Sequence, residues 1–204
     1  MRTIVEKGVE DLRLATAEMV KAAREMLEFV VRALEGQAGA DPSRVKEMDV
    51  RLNQYELKLD HMCEVLLALK EPYATDFRTI FSTIKVTRDL ERIGDESKFV
   101  ARWIPELKMP APSGLIALAE RTRDAFASAT EALRETEVSK AERVIEKGER
   151  LLAMEDDLLA GADDVALAAI AHGLGRIAAR ATNIAEQTIY LVKAKDVRHE
   201  HDGA

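Results

Sequence analysis

Met109-Pro110-Ala111-Pro112-Ser113-Gly114 is the one proline-rich stretch in this chain, and it falls near the middle of the 204 residues. Three segments with helical patterning lie on each side of it. Upstream, Val5, Val9, Leu12, Met19, Ala23, Met26, Val30 and Leu34 recur at three-four spacing. This predicts one long amphipathic helix over about residues 3–36. After a loop from Gly36 to Ala40, Asp41-Pro42 restarts the chain, with Asp as N-cap and Pro at the first helical position. That second helix carries Met48, Leu52, Tyr55, Leu59, Met62 and Leu66 on one stripe and stops at Glu71-Pro72. Thr75 caps a third helix that runs to about Pro105. Downstream of the linker, helices are expected at about 114–137, 139–160 and 163–195, with Gly161-Ala162-Asp163 as the last break.

The two flanks resemble each other. A shift of 99 residues pairs Ala33-Leu34 with Ala132-Leu133, Arg44-Val45 with Arg143-Val144 and Glu47 with Glu146. It also pairs Arg51-Leu52 with Arg150-Leu151, Glu56 with Glu155 and Leu59 with Leu158. For the third helix the shift becomes 84, matching Arg92-Ile93 to Arg176-Ile177, a deletion of 15 residues before the last helix. The expected fold is therefore all-α, with six helices in two tandem three-helix repeats, residues 1–108 and 109–199, and a disordered tail at 200–204. Three helices this long cannot bury all their apolar stripes alone, so the two units should pack as one bundle.

Composition supports this. Aromatic residues make up 4% of the chain and charged residues 33%, with 10 Gly and 5 Pro. A β-sandwich needs aromatic and β-branched strands cut by frequent turns, and both are scarce here. No run approaches ~18 apolar residues, so no membrane insertion is expected. Met1 to Lys7 lacks the apolar core of a signal peptide. Cys63 is the lone cysteine, which excludes a disulfide framework and a cysteine-rich zinc site. A cytoplasmic protein is expected. The net charge of −7 argues against general nucleic-acid binding.

The candidate chemistry lies in the second and third helices. Asp49, Asn53, Glu56 and Asp60 form a polar stripe beside the apolar one. In the third helix the spacing of Phe77, Phe81 and Ile84, continued, reaches Arg88, Glu91 and Asp95. Two carboxylates thus fall where the pattern asks for apolar side chains, and burying them needs a metal ion or an arginine such as Arg88 or Arg92. Glu56-Leu57-Lys58-Leu59-Asp60 and Glu91-Arg92-Ile93-Gly94-Asp95 repeat one unit, with carboxylates at i and i+4 on a shared face. On antiparallel neighbours, Glu56, Asp60, Glu91 and Asp95, with Asp49 as an additional ligand, offer an oxygen site for a divalent cation or iron. Gly94 inside a helix costs ~1 kcal/mol relative to Ala, which points to close backbone approach.

Residues 72–97, from Pro72-Tyr73-Ala74-Thr75-Asp76-Phe77-Arg78 through Leu90-Glu91-Arg92-Ile93-Gly94-Asp95-Glu96-Ser97, resemble the signature region of the PhoU phosphate-uptake regulators. Tyr190 to His199 resembles that family's C-terminus, and the likeness extends over nearly the whole chain. It implies a non-enzymatic cytoplasmic negative regulator that forms a homodimer. Its implied partners are the ATPase subunit of the phosphate ABC transporter and a membrane sensor histidine kinase. It also implies metal binding through Glu56, Asp60, Glu91 and Asp95. Arg78, Arg88 and Arg92 are candidates for partner contact or for neutralising the acidic cluster.

The second half departs from the motif. Under the two shifts Glu56 maps to Glu155, but Asp60 becomes Leu159, Glu91 becomes Gly175, Asp95 becomes Ala179 and Arg88 becomes His172. At most one metal site, in the first repeat, is expected, and Val165, Ala168, His172, Gly175 and Ala179 read as a close-packing seam. Two other readings stand beside the regulator: a PhoU-like subunit of a Pit-type or sodium-coupled phosphate carrier, and a metal-dependent carboxylate-bundle enzyme. The enzyme would need inward histidines, yet no Glu-x-x-His occurs. Asp196-x-x-His199 lies in the tail, His61 points about 100° away from Asp60, and His172 reads as a hydrogen-bonded core residue. Cys63 and the methionines read as core, and the charges from Glu131 to Glu137 as a solvated face.

Overall fold

The first apolar stripe forms α1 (Arg2–Leu34), where Leu12, Met19, Met26 and Val30 are sealed from solvent. The computed structural model describes residues 2–69 and 73–195, and among them there is no strand. Asp41 caps as expected, accepting from the Ser43 N–H at 2.9 Å, but the turn it caps is a 3-10 turn at Pro42–Arg44. α2 (Val45–Leu69) begins after that turn. α3 (Ala74–Trp103) starts from Tyr73, whose carbonyl accepts from the Phe77 N–H at 2.8 Å. Thr75 is therefore inside the first turn and is not the cap. The expected stop at Glu71-Pro72 and the tail beyond Lys195 lie outside the described residues.

The linker leads into α4 (Ser113–Glu135), which Thr136 closes in the left-handed conformation, φ 53°. α5 (Val138–Ala160) and α6 (Val165–Lys193) follow. Asp164, one residue past the expected break, caps α6 through the Ala166 N–H at 2.9 Å. The other carboxylate oxygen of Asp164 accepts from the Lys108 N–H at 3.2 Å, tying the linker to the last helix.

α1, α2 and α3 pack on one another, and so do α4, α5 and α6. The two trios meet chiefly along α3 and α6, with α1 against α4. Phe81 meets Tyr190, Asp89 meets Asn183, Glu96 meets Arg176 and Val100 meets Gly173. One number rises as the other falls, so α3 and α6 run antiparallel. The buried apolar residues of both trios form one continuous cluster, as expected for units too thin to fold around separate cores.

Candidate functional site

Asp49 pairs with Lys98, Leu52 packs on Gly94, and Cys63 faces the Ile80 carbonyl. These three pairs set α2 antiparallel to α3. Gly94 has the role its sequence suggested, since a Cβ there would run into the buried Leu52 side chain. The register puts Glu56 opposite the Glu91 turn. It separates Asp60 and Asp95 toward opposite ends of the seam. The four predicted carboxylates form a ladder along one groove, in which Glu56, Glu91 and Asp95 act on one another through their charges and Asp60 acts on Glu56.

The groove is also less deep than the spacing of Phe77, Phe81 and Ile84 implies. Phe77 is 45% exposed and Phe81 37%. These rings stack on each other, with centroids 6.0 Å apart, and Phe81 meets Tyr190 edge-on. The stripe that α3 buries runs through Ile80, Thr83, Val86, Thr87, Leu90, Ile93, Ser97 and Val100. Its small hydroxyl residues hid it from an apolar count. Glu91 and Asp95 consequently sit at the rim of the core, half-buried, and Asp60 is exposed.

Electrostatics bind the ladder together. Burial pushes the Glu56 carboxyl up, and the Asp60 and Asp95 charges add to this. Burial also raises Glu91, with a hydrogen bond and charge repulsion from Asp95, to about 7. Burial would raise Asp95 as well, but the Lys98 ammonium and the bond shared with Glu91 outweigh it and hold Asp95 below its usual range. Lys98 reaches Asp49 at 2.7 Å and Asp95 at 3.0 Å. Arg92 lies 3.5 Å from Glu91 and 3.6 Å from Asp95. Arg92 thus acts as a neutraliser. Arg88 is exposed and acts on Glu56 through its charge. Arg78 is half-buried, its Nε without a hydrogen-bond partner among the described residues.

Sequence reasoning missed Lys98, although its place three residues after Asp95 was the available signal. Its ammonium already holds Asp49 and Asp95. Among the described residues no three carboxylate, histidine or cysteine side chains stand together as metal ligands. A metal ion would meet Asp95 there only after displacing Lys98 and Arg92.

The second trio supplies an internal control. Glu155, the counterpart of Glu56, is buried over the bare backbone of Gly175, where a Cβ would collide with its carboxylate. It pairs with His172 Nδ1 at 2.8 Å. Gly175 and His172 are the counterparts of Glu91 and Arg88, so the two shifts align structure as well as sequence. His172 is hydrogen-bonded as expected, but its side chain is 57% exposed and is not core. The expected close-packing seam also fails: Val165 is 70% exposed, and Ala179 is exposed too. Gly175 gives up its side chain to house Glu155 and not to admit a neighbouring helix.

Among the described residues, six α-helices in two trios, with a charged ladder on one trio, define an all-α helical-bundle protein. Residues 16–104 match the PhoU domain. The chain is 30% identical over 209 residues to the phosphate-specific transport system accessory protein PhoU homolog of Pseudomonas aeruginosa, covering 94% of this chain and 86% of that one. It is 28% identical to the phosphate-specific transport system accessory protein PhoU of Serratia marcescens, covering 94% and 85%. The crystal structure of PhoU from Pseudomonas aeruginosa superposes with a TM-score of 0.82 at 26% identity, over 93% of this chain and 99% of that one. The regulatory protein PhoU from Streptococcus pneumoniae shares the fold, with a TM-score of 0.84 at 22% identity over 95% and 99%. The chain belongs to the PhoU family, whose named members are accessory and regulatory proteins of phosphate transport. No described helix is long and apolar enough to cross a membrane.

Proposed function

We propose that this protein is a non-catalytic cytoplasmic regulator of phosphate uptake, acting between the ATPase subunit of a phosphate ABC transporter and a sensor histidine kinase. On this reading it keeps the phosphate-starvation response off when phosphate is plentiful, and it works as a homodimer. The observation that carries the reading is similarity to the transport accessory proteins along nearly the whole chain. The ladder of Glu56, Asp60, Glu91 and Asp95 is its charge-recognition face. Arg92 and Lys98 hold the face closed, and a basic segment of a partner opens it by taking over their acidic contacts. A divalent or iron ion is the secondary occupant of this place, and it requires Arg92 and Lys98 to release Asp95.

The test is a pull-down with the transporter ATPase subunit, comparing the unaltered chain with the Glu91→Ala/Asp95→Ala variant. Loss of capture by a variant with a normal melting curve supports the ladder as the docking face. Undiminished capture removes that role. Metal content of the purified chain, measured by mass spectrometry before and after chelation, separates the secondary occupant from the first.

A further inference from the structure

We propose that the groove between α1, α3 and α4 binds a small phosphorylated organic molecule of up to nucleotide size. The groove has a volume of about 910 Å³, near the upper end of the ~300–1,000 Å³ typical of small-molecule sites. Four cations line it: Arg13, Lys21, Arg24 and Arg134. Of its two acids, Glu25 pairs with Arg51 at 3.2 Å, and Glu131 pairs with Lys140 at 3.4 Å and stands 4.0 Å from Arg134. Arg134 is held by Glu135 and Arg13 stands 4.0 Å from Glu10. Lys21 and Arg24, one turn apart on α1, have no ion-pair partner among the described residues and leave the groove cationic.

An independent observation comes from α3. Thr79 and Thr83 donate to carbonyls one turn back, at 3.1 and 2.9 Å. Ser82, between them, does not. Its residue is 2% exposed, it lines the groove, and its Oγ has no hydrogen-bond partner among the described residues. Most buried hydroxyls are satisfied, so this one is a donor or acceptor left for something that enters the groove. A phosphoryl group carries more than one charge and three strong acceptor oxygens. Two unpaired cations and a spare hydroxyl suit it, while Val20 and Val86 offer an apolar wall to the organic part. The lining comes from both trios, so the occupant would bridge them. The groove shares no lining residue with the acidic ladder, and the proposal stands whether or not the regulatory reading holds.

Calorimetric titration of the full chain with ATP, with glucose 6-phosphate and with uncharged adenosine, in ~0.15 M salt to screen loose surface attraction, tests it. Saturable binding of ATP or glucose 6-phosphate at one per chain is expected, with none for adenosine. Lys21→Ala/Arg24→Ala should weaken it at least about tenfold, equivalent to ~1.4 kcal/mol, without lowering the melting temperature, because both residues are exposed. Ser82→Ala, which removes a single oxygen, should weaken binding severalfold. No saturable binding of either phosphate ester at millimolar concentration overturns the proposal. So does equal affinity in the Lys21→Ala/Arg24→Ala variant, or adenosine binding as well as ATP.

Discussion

The Glu91 carboxyl, raised to about 7 by burial and by its contact with Asp95, gives the folded chain a proton that the unfolded chain releases at ordinary carboxylate pH. Between those limits the folded state holds more protons, so Glu91 lowers stability as pH rises from about 4.5 through about 7. Glu91→Gln removes that penalty. Thermal melts should show little advantage for the variant at pH 5 and a clear one at pH 8, and equal melting temperatures at pH 8 would count against the buried, Asp95-linked environment. Cys63 shows burial acting on a different group. Burial, with the nearby Asp60 charge, pushes its thiol up to about 12. Ellman's reagent should therefore leave it untouched in the native chain and label it only on unfolding. Cys63 was legible in the sequence as a small core residue. The depth of Glu91 was not, because the neighbouring aromatic residues share helical spacing without sharing burial.

At the scale of the helix, the α2–α3 contact depends on Leu52 lying across the bare backbone of Gly94. Replacing Gly by Ala inside a helix normally gains ~1 kcal/mol, but overpacking a filled core costs ~1–3 kcal/mol. We expect Gly94→Ala to destabilise by about 1–2 kcal/mol in urea unfolding. The companion Leu52→Ala should cost ~2–5 kcal/mol alone. The double variant should lose less than the sum, because the smaller side chain makes room for the new methyl. Strict additivity would show that the two do not meet. Helix existence and type were readable from apolar periodicity and from Asp41 and the midpoint prolines. Starts were less so: Thr75 looked like a cap, but the backbone enters α3 from Tyr73 and needs no side-chain oxygen there.

For the whole molecule, the antiparallel α3–α6 pair is what joins the trios. Glu96 is buried, so burial raises its carboxyl even though Arg176 Nη2 lies only 2.6 Å from its Oε1. Arg176→Ala would leave that carboxylate without its nearest cation and should cost about 1–3 kcal/mol, read as a lower denaturation midpoint with an unchanged slope. Because one apolar cluster spans both trios, calorimetry should show a single transition. Residues 1–108 expressed alone should associate or melt broadly, since the face α3 gives to α6 would be uncovered. The duplicated layout was visible in the sequence through its two shifts. The bridges between trios were not, because nothing local in Glu96 or Asp89 marks a partner 80 or more residues away.

The same order of three helices recurs on both sides of the α3–α6 pair, yet the acidic ladder is on one side and Glu155 with its glycine berth on the other. A duplicated body ordinarily offers the same handle twice. Here one trio lacks it, so on the proposed reading a partner that docks on the ladder would meet one such face per chain, and a complex with one partner segment per chain is expected.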